Sequence, residues 1–441
     1  MQDKSNFLQG FSKKKPHEKL ETVAGFFNNK EEVIKYFQSF HHQDAKIQTL
    51  LEEFSENTIS NFPLPFCIAP NFLINGKVYA VPMVIEESSV VAAASKSAKF
   101  WYDRGGFHAE IIGTEKVGQV HFIWTDNLEV LQQKFPELKQ RLIAETASIT
   151  ENMRKRGGGI LDITLKDLSK DEPGLMQLFC TFETKDSMGA NFINSCLEQF
   201  AETFKEWYQE QPEFSGEDLN IVMCILSNYT PNCIVNCWVE TDIKNLDNFV
   251  PGMSGEEFAK RFYLGMRIPE VDPYRATTHN KGIYNGVDAV ILASGNDFRA
   301  VEACGHTYAA RDGQYRSLSH VDIKDGKFKF SLHLPLSLGV VGGLTTLHPL
   351  VKLALELLGH PSATELMCIA AAAGLANNFS AVKSLVTTGI QEGHMKMHLF
   401  NIMKQLEIPE SYKADIVEYF KHNKVSVSEV RNIFNTLKEK K

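Results

Sequence analysis

The stretch VGQVHFIWT, residues 117–125, is a short apolar run that predicts a β-strand. Three similar runs follow it: GILDITLKDL (159–168), LMQLFCTFET (175–184) and LNIVMCILSN (219–228). Helical sequence at 127–149 separates the first run from the second, and helical sequence at 187–209 separates the third from the fourth. We expect Pro136 to kink or split the first of these helices. The resulting order, βαββαβ, is the ferredoxin-like pattern.

This block lies inside a chain of 441 residues, which is long enough for two or three domains. Upstream, residues 17–54 have helical, amphipathic character, Asn75-Gly76 between two alternating runs predicts a β-hairpin, and residues 88–105 predict a helix. The end of the chain is helical, and Ser426 with Glu429 predicts a capping box for the last helix. We therefore predict an α+β / α/β multidomain fold: a large α/β domain made of residues 1–113 and 230–389, an inserted ferredoxin-like domain at 114–229, and a helical C-terminal domain at 390–441.

The composition indicates a globular protein that binds neither nucleic acid nor a membrane. A net charge of −8 provides no basic field for nucleic acid. The N-terminal MQDKSNFLQG lacks an apolar signal-peptide core, and the most apolar long stretch, 332–359, is interrupted by proline, histidine and charged residues, so we expect it to be a buried core segment. The eight cysteines form no C-x-x-C pair and are expected to be reduced in a cytoplasmic protein.

Two glycine-containing segments of the predicted inserted domain are candidates for cofactor binding, although no G-x-G-x-x-G occurs. KDSMGAN (185–191) falls between the third strand and the second helix, where Asp186 can cap that helix and Gly189 keeps its first turn free of bulk. Amide groups at a helix start suit a pyrophosphate, but a plain helix cap explains the same residues. The second segment, Gly157-Gly158-Gly159, precedes a strand and is equally typical of a flexible loop.

Several charged residues are candidates for catalysis. In RATTHNKGIYNGVDAVILASGNDFR (275–299), we expect Lys281 to lie in a tight Asn/Gly loop, followed by a short buried strand and then by Asp297 at a helix start. Glu87 ends a strand just before a helix, where it either favours the helix dipole or donates a proton in a cleft. His394 and His398 have the i, i+4 spacing of metal ligands but no suitable third ligand, so a general acid or surface histidines are the competing interpretations.

Seven ordered motifs give the chain a marked resemblance to 3-hydroxy-3-methylglutaryl-coenzyme A reductases, most of all to the soluble bacterial type called class II. The resemblance runs from near the N-terminus to the final helices. The motifs are ENTISNFPLPFCIAPNF, VPMVIEESSVVAAAS, KDSMGAN, DPYRATTHNKGIYNG, GNDFRAVEACGHTYAARDG, LGVVGGLTTLHPL and TTGIQEGHMKMH.

The resemblance implies a large α/β domain, an inserted ferredoxin-like domain that holds a nicotinamide cofactor, a mobile C-terminal helical lid, and a homodimer with the active site at the subunit boundary. It assigns catalysis to Glu87, Lys281, Asp297 and His394. It assigns substrate contacts to Arg275, Ser89, Thr278, Asn285 and Asn228, with Arg275 on the free carboxylate. It assigns cofactor contacts to Asp186, Met188, Gly189 and Asn191, and no metal.

The implied reaction interconverts hydroxymethylglutaryl-coenzyme A and mevalonate plus coenzyme A by two hydride transfers. Lys281 would stabilise the negative charge that builds on the substrate oxygen, with Asp297 keeping it charged and Glu87 donating a proton. His394 would protonate the departing thiolate. The alternatives are a catalytically silent coenzyme A-thioester binder on the same fold and a metal hydrolase that uses His394 and His398.

The residues before the glycine loop bear on the choice between NADH and NADPH. Some family members carry an acid seven residues before the first glycine of the loop, and Thr150 stands at that position here. The basic residues of the following run, among them Arg154, suit the 2′-phosphate of NADPH, whereas Glu151 is the acid that could replace the missing one. We expect NADPH to be preferred.

Overall fold

The computed structural model describes residues 8–214, 219–387, 389, 399–420, 423 and 425–439. Its strands form three antiparallel sheets. The strands are β1 Phe66–Ile74, β2 Lys77–Val84, β3 His108–Ile111, β4 Lys116–Ile123, β5 Gly159–Asp167, β6 Leu175–Glu183, β7 Asn220–Ser227, β8 Ile234–Asp242, β9 Ser319–Lys324 and β10 Lys327–Pro335.

Helices pack against these sheets and fill most of the connections. They are α1 Pro16–Ala24, α2 Lys30–Gln38, α3 Ala45–Glu53, α4 Ser88–Tyr102, α5 Leu128–Glu145, α6 Ala147–Lys155, α7 Ala190–Gln209, α8 Gly255–Val271, α9 Pro273–Ala293, α10 Phe298–Ala309, α11 Leu344–Leu347, α12 Pro349–Leu357 and α13 Ala363–Val386. Farther along, residues 399–405 are helical, as are Glu410–Tyr419 and Val427–Glu439.

The sheet of β4 to β7 has the strand order β5-β6-β4-β7 with α5, α6 and α7 in its connections, which is the predicted ferredoxin-like pattern. The predicted split at Pro136 does not occur, because α5 continues through it to Glu145. Leu131 and Leu138, on either side of the proline, are fully buried in one core. Burial of that apolar face outweighs the one backbone hydrogen bond that proline removes, and the helical segment divides at Thr146 instead.

The larger core surrounds the sheet β3-β8-β10-β9 and the helix α13. Within the described part of the chain, α13 alone has the length and apolarity of a membrane span, and 78% of its apolar window is buried inside the fold. The stretch 332–359, predicted to be a core segment, contains the end of β10, a turn, and the helices α11 and α12. The mixed multidomain fold and the helical C-terminal region are as predicted, whereas the residue boundaries between domains remain a prediction.

The hairpin β1–β2 turns at Asn75 and Gly76, which both have positive φ (48° and 82°), as the sequence predicts. The segment 275–297 differs from the prediction. In place of a loop and a strand, it forms the single helix α9, followed by a short link to α10. Gly286 lies where a Cβ would come within 2.3 Å of the Ala373 carbonyl oxygen, so this glycine permits close contact between α9 and α13 and forms no turn.

Candidate active site

One face of α9 carries four of the predicted site residues. Arg275, Thr278, Lys281 and Asn285 are separated by three, three and four residues, so a helix places them in one row. The helix is fixed from its other side, because the buried Asn280 donates to the Arg316 carbonyl (2.8 Å) and accepts from the Leu318 amide (3.0 Å). The helix that was not predicted therefore collects these residues better than the predicted loop would.

Lys281 forms an ion pair with Glu87, and this is the central contact of the site. The Lys281 Nζ lies 3.5 Å from Glu87 Oε2, and the lysine side chain is 65% exposed. Glu87 is the N-cap residue of α4, which holds its carboxylate at the end of the β1–β2 hairpin, and the Ser89 hydroxyl donates to its Oε1 at 2.6 Å. The structure thus joins three predicted residues from two separate segments of the chain.

Asp297 is held by its own helix. As N-cap of α10, it accepts hydrogen bonds from the amides of Arg299 (3.0 Å) and Ala300 (3.3 Å), and the Arg299 guanidinium forms two further bonds to its oxygens. Burial works against ionisation, but these hydrogen bonds prevail and lower the pKa of Asp297. Among the described residues, the ion pair of Asp297 is with Arg299, and none joins it to Lys281.

His394 and His398 lie outside the described residues, so the geometry of the predicted acid and of the alternative metal pair is not defined. In the ranges that the structure describes, no group of three or more histidine, cysteine, aspartate or glutamate side chains is arranged to hold a metal ion.

The KDSMGAN segment connects β6 to α7, but its aspartate has a different role from the one predicted. Gly189, with φ 88°, is the N-cap of α7 and supplies no capping side chain, while the Asp186 Oδ1 accepts from the Ala363 amide (2.8 Å) at the start of α13. Asp186 therefore ties this loop to the central helix. A Cβ on Gly189 would lie 2.4 Å from the Thr184 Cγ2, so only glycine fits there.

The start of α7 leaves its first backbone amides without a recorded partner in the described structure. Asn191 is exposed at this end, and Met188 precedes it. Such a helix start, without a capping side chain, has the chemistry that binds a pyrophosphate. The residues present therefore fit a dinucleotide cofactor.

A narrow cleft with a volume of about 10 Å³ lies beside this helix start, between the ferredoxin-like sheet and α10. Met188 and Asn228, both predicted site residues, line it together with Ala190, Ile193, Ala300, Val301, Cys304, Thr230, Ser337 and Lys116. Residue analysis did not single out Lys116, which is only 3% exposed and donates to the Thr114 carbonyl at 3.1 Å. The sequence feature that could have indicated Lys116 is its position as a lysine at the start of an otherwise apolar strand.

The helix α6 carries the residues expected to select the cofactor. Thr150 is buried, and its hydroxyl donates to the Thr146 carbonyl (3.0 Å), so it presents no group to a surface-bound ligand. Arg154 is exposed and donates to the Ala147 carbonyl (3.0 Å). Lys155 pairs with Glu151 at 2.7 Å. Of these groups, Arg154 is the cation that has no carboxylate partner among the described residues.

The glycine loop brings α6 to the KDSMGAN segment. A Cβ on Gly157 would lie 3.5 Å from the Lys185 side chain, and one on Gly158 would lie 2.5 Å from the Glu183 carbonyl oxygen. The basic end of α6 and the helix start of α7 thus border one surface.

Comparison with known proteins identifies relatives over nearly the whole chain. The family model described as hydroxymethylglutaryl-coenzyme A reductase matches residues 16–399. A 3-hydroxy-3-methylglutaryl-coenzyme A reductase of Archaeoglobus fulgidus is 36% identical over 401 residues, covering 90% of this chain and 87% of the relative. A probable enzyme of the same name from Borreliella burgdorferi is 31% identical over 414 residues, covering 92% and 90%.

Solved structures with the same fold come from Streptococcus pneumoniae. One 3-hydroxy-3-methylglutaryl-coenzyme A reductase superposes with a TM-score of 0.72 at 34% identity, covering 97% of this chain and 99% of the other. A second, a class II enzyme bound to NADPH in open conformations, has a TM-score of 0.71 at 35% identity and covers 86% and 99%.

Proposed function

The chain belongs to the hydroxymethylglutaryl-coenzyme A reductase family of NAD(P)H-dependent oxidoreductases, and from this premise we propose that Glu87, Lys281, Asp297 and His394 perform its chemistry. The observation that carries this proposal is the 3.5 Å ion pair between Lys281 and Glu87, which brings together a cation and an acid from distant parts of the sequence. A catalytically silent binder is not favoured by the comparisons.

Lys281 acts on the oxygen that becomes negatively charged. When bound, the nicotinamide cofactor supplies the hydride for each of two reductions, from thioester to hemithioacetal and from aldehyde to alcohol. The exposed ammonium of Lys281 reaches into solvent-accessible space where a carbonyl oxygen can approach. It stabilises the developing alkoxide more than the neutral carbonyl, so it lowers the barrier.

Glu87 donates the proton that the alkoxide takes up. Its Oε2 faces Lys281 and its Oε1 accepts from Ser89, so the carboxyl group is oriented beside the same oxygen that Lys281 contacts. A carboxylic acid must be protonated to do this, and binding of a substrate that displaces water favours its neutral form.

Asp297 supplies a fixed negative charge that keeps Lys281 protonated. Both of its oxygens are already engaged by Arg299 and by the amides of α10, which hold it ionised. The Oδ2 atom accepts one hydrogen bond among the described residues, from Arg299, so it can also accept from Lys281, and we assign that contact to the substrate-bound state.

His394 protonates the coenzyme A thiolate when the hemithioacetal collapses to the aldehyde. A free thiol has a pKa of about 8.5, so an acid at the sulfur makes the leaving group a thiol and opposes the reverse attack. The C-terminal helical region would act as the lid that brings this acid to the sulfur.

The remaining residues position the substrate. Arg275 lies on the row of α9 and is half-buried, which lowers the pKa of its guanidinium but leaves it charged at neutral pH, as holding a carboxylate requires. Thr278 and Asn285 extend the row on either side of Lys281, Ser89 fixes Glu87, and Asn228 lines the cleft from the side of the ferredoxin-like sheet.

The cofactor would be held at the start of α7, where the amides that follow Gly189 would bind its pyrophosphate and Asp186, Met188 and Asn191 would contribute further contacts. NADPH is the preferred form. Arg154 supports this preference because it is exposed and lacks a carboxylate partner among the described residues, whereas Glu151 is paired with Lys155. Thr150 favours NADPH only because it is not an acid and so does not repel the 2′-phosphate.

We place the enzyme in the cytoplasm as a homodimer that binds hydroxymethylglutaryl-coenzyme A, mevalonate and coenzyme A. Support for self-association comes from exposed leucines along one face of α12, at positions 350, 353 and 357. A contiguous apolar face of this kind is typical of protein contacts. Light scattering coupled to size-exclusion chromatography gives the subunit number directly.

The test of function measures oxidation of the reduced cofactor, as a loss of its absorbance, with hydroxymethylglutaryl-coenzyme A as substrate. Turnover with mevalonate and coenzyme A as products supports the proposal. Substrate binding without cofactor oxidation would instead support the silent binder, and loss of activity with a chelator would support the metal hydrolase.

A further inference from the structure

A second pocket lies away from the cleft, where the ends of α8 and α10 meet the segment that leads into β9. It has a volume of about 300 Å³, at the lower end of the range for small-molecule sites. Its lining is polar and rich in arginine: Arg267, Glu270, Val271, Arg311, Asp312, Arg316, Ser317 and His320.

The charge of the pocket is not balanced within the described structure. Glu270 is already compensated, since Arg267 forms an ion pair with it and the His320 Nδ1 lies 3.7 Å from its Oε1. Asp312 is exposed at the rim and forms no ion pair among the described residues. Three arginines against two carboxylates leave one net positive charge, and Arg311 and Arg316 are the two arginines that form no ion pair among the described residues.

These two guanidinium groups are held by neutral acceptors. Arg316 donates to the Glu270 carbonyl oxygen (2.6 Å) and to the Gln314 side-chain oxygen (3.0 Å). Arg311 donates to the Tyr308 carbonyl oxygen (2.8 Å), and its guanidinium stacks on the Tyr308 ring at 4.0 Å. Both are therefore oriented without being neutralised, and each keeps further N–H groups for another acceptor.

We propose that this pocket is a binding site for a small phosphorylated metabolite, distinct from the sites of substrate and cofactor. Two pre-oriented guanidiniums match the oxygens of a phosphate or diphosphate group, since each offers a planar fork of donors. The volume exceeds what an inorganic ion fills, which leaves room for a small organic part.

The position of the pocket connects it to the proposed active site. Val271, in its lining, is followed by Asp272, which caps α9 one turn before Arg275. His320 also connects the pocket to the buried His279. The His279 ring is hydrogen-bonded to Ser319 (2.7 Å), and the charges of Arg275 and His320 contribute to lowering its pKa. An anion bound here changes the electrostatic field at the start of the catalytic helix.

The test uses pyrophosphate as the probe with the full-length protein. Isothermal titration calorimetry should show saturable binding, and pyrophosphate should raise the melting temperature in proportion to the logarithm of its concentration. The double variant Arg311→Gln/Arg316→Gln should bind at least about tenfold more weakly, as loss of charged hydrogen bonds implies. The matched control is Arg261→Gln, an exposed arginine of α8 outside the pocket, and it should bind as the wild type does.

Three results would overturn the proposal: no saturable binding by the wild type, equal affinity in the double variant, or loss of binding when hydroxymethylglutaryl-coenzyme A and NADP⁺, which do not react together, are saturating. The last would place pyrophosphate at the substrate or cofactor phosphates. The double variant should keep the wild-type kcat/KM for both ligands and its melting temperature without pyrophosphate, which separates a lost site from a damaged fold. Comparing pyrophosphate with inorganic phosphate shows whether one phosphate group is sufficient.

Discussion

The ammonium of Lys281, on α9, lies 3.5 Å from the carboxylate of Glu87, the N-cap residue of α4, and so connects two segments that are nearly two hundred residues apart. Lys281 lies within α9 and Glu87 directly precedes α4, so each side chain is positioned by a helix or its first turn. Because Lys281 is 65% exposed, it contributes little to the core and is available for a substrate.

Replacing Lys281 with alanine should abolish both reductions while leaving the fold intact. Alanine favours a helix, and an exposed ion pair contributes little to stability. Loss of an oxyanion partner lowers kcat by about 10²–10³-fold, and we expect this for the thioester and for free mevaldehyde. The control is Lys260→Ala, another exposed helical lysine, which should have wild-type activity. A Lys281→Ala enzyme that reduced mevaldehyde at a normal rate would exclude the assigned role.

The substitution His394→Gln should separate the two half-reactions. Glutamine cannot protonate a thiolate, so reduction of the thioester should fall far more than reduction of mevaldehyde, which expels no thiolate. His398→Gln serves as the control and should be mild in both assays. Equal losses in the two assays for His394→Gln would contradict its role as the acid for sulfur.

Cofactor preference should depend on Arg154. The variant Arg154→Gln should lose about tenfold or more in kcat/KM for NADPH and little for NADH, since only NADPH carries the 2′-phosphate. Lys155→Gln is the matched control, because its ammonium is already paired with Glu151. Thr150→Asp would place a carboxylate in a buried position and destabilise the helix, so it does not test preference. An unchanged NADPH to NADH ratio in Arg154→Gln would remove this residue from the proposal.

Adding a methyl group at Gly189 should damage both stability and cofactor binding. Gly189→Ala combines a φ of 88° with a contact of 2.4 Å to Thr184, and the conformation alone costs about 1–2 kcal/mol. We expect a lower melting temperature and a raised KM for the cofactor. The double variant Gly189→Ala/Thr184→Ser, which removes the methyl group in contact, should recover only part of the stability. Full recovery would show that the clash, and not the backbone, dominates.

Protonation of His279 should make the protein less stable in acid. Burial, with smaller effects from Arg275 and His320, lowers the pKa of His279 to about 3, and its Nδ1 is buried without a hydrogen-bond partner among the described residues. In the unfolded protein the pKa of His279 is near 6.5. Between pH 6.5 and pH 3, the unfolded protein therefore binds a proton at this residue that the folded protein does not bind. This group contributes stability that is fully present above pH 6.5 and is lost as pH falls toward 3.

The expected loss from His279 is roughly 3 kcal/mol between pH 8 and pH 4. Denaturant unfolding at both pH values, for the wild type and for His279→Gln, isolates it, because the other titrating groups, His320 and His333 among them, are present in both proteins. If the variant does not fold, the imidazole resonance of His279 in the wild type gives its pKa directly. A titration near 6.5 would contradict the prediction.

The sequence predicted the ferredoxin-like sheet because its strands and helices differ in hydrophobic periodicity. It did not predict α9, since Asn280, Gly282, Asn285 and Gly286 are typical of turns. In the fold, Asn280 instead forms hydrogen bonds with two backbone groups near β9, and Gly286 allows α13 to pack closely against α9. Tertiary contacts of this kind are not encoded in local propensity, so a segment that looks like a loop can be a buried helix.

The same limit explains the errors in the cofactor segment. Asp186 was predicted to cap the helix next to it in sequence, whereas it binds the start of α13, 177 residues away. Lys116 was not singled out although it begins an otherwise apolar strand, because the cleft that it lines is formed by segments far apart in the sequence. The family motifs predicted which residues react, and the structure adds that two of them, Lys281 and Glu87, are in contact.

The hydrogen bond from the Ala363 amide to Asp186 fastens the start of α13 to the KDSMGAN segment. A helix of 24 residues is about 36 Å long and, packed as this one is, behaves as a stiff rod. One end is fastened to the loop that would hold the nicotinamide cofactor. Beyond the other end, at Val386, the chain continues toward His394. A single rigid helix would thus connect the proposed cofactor site to the start of the proposed C-terminal lid.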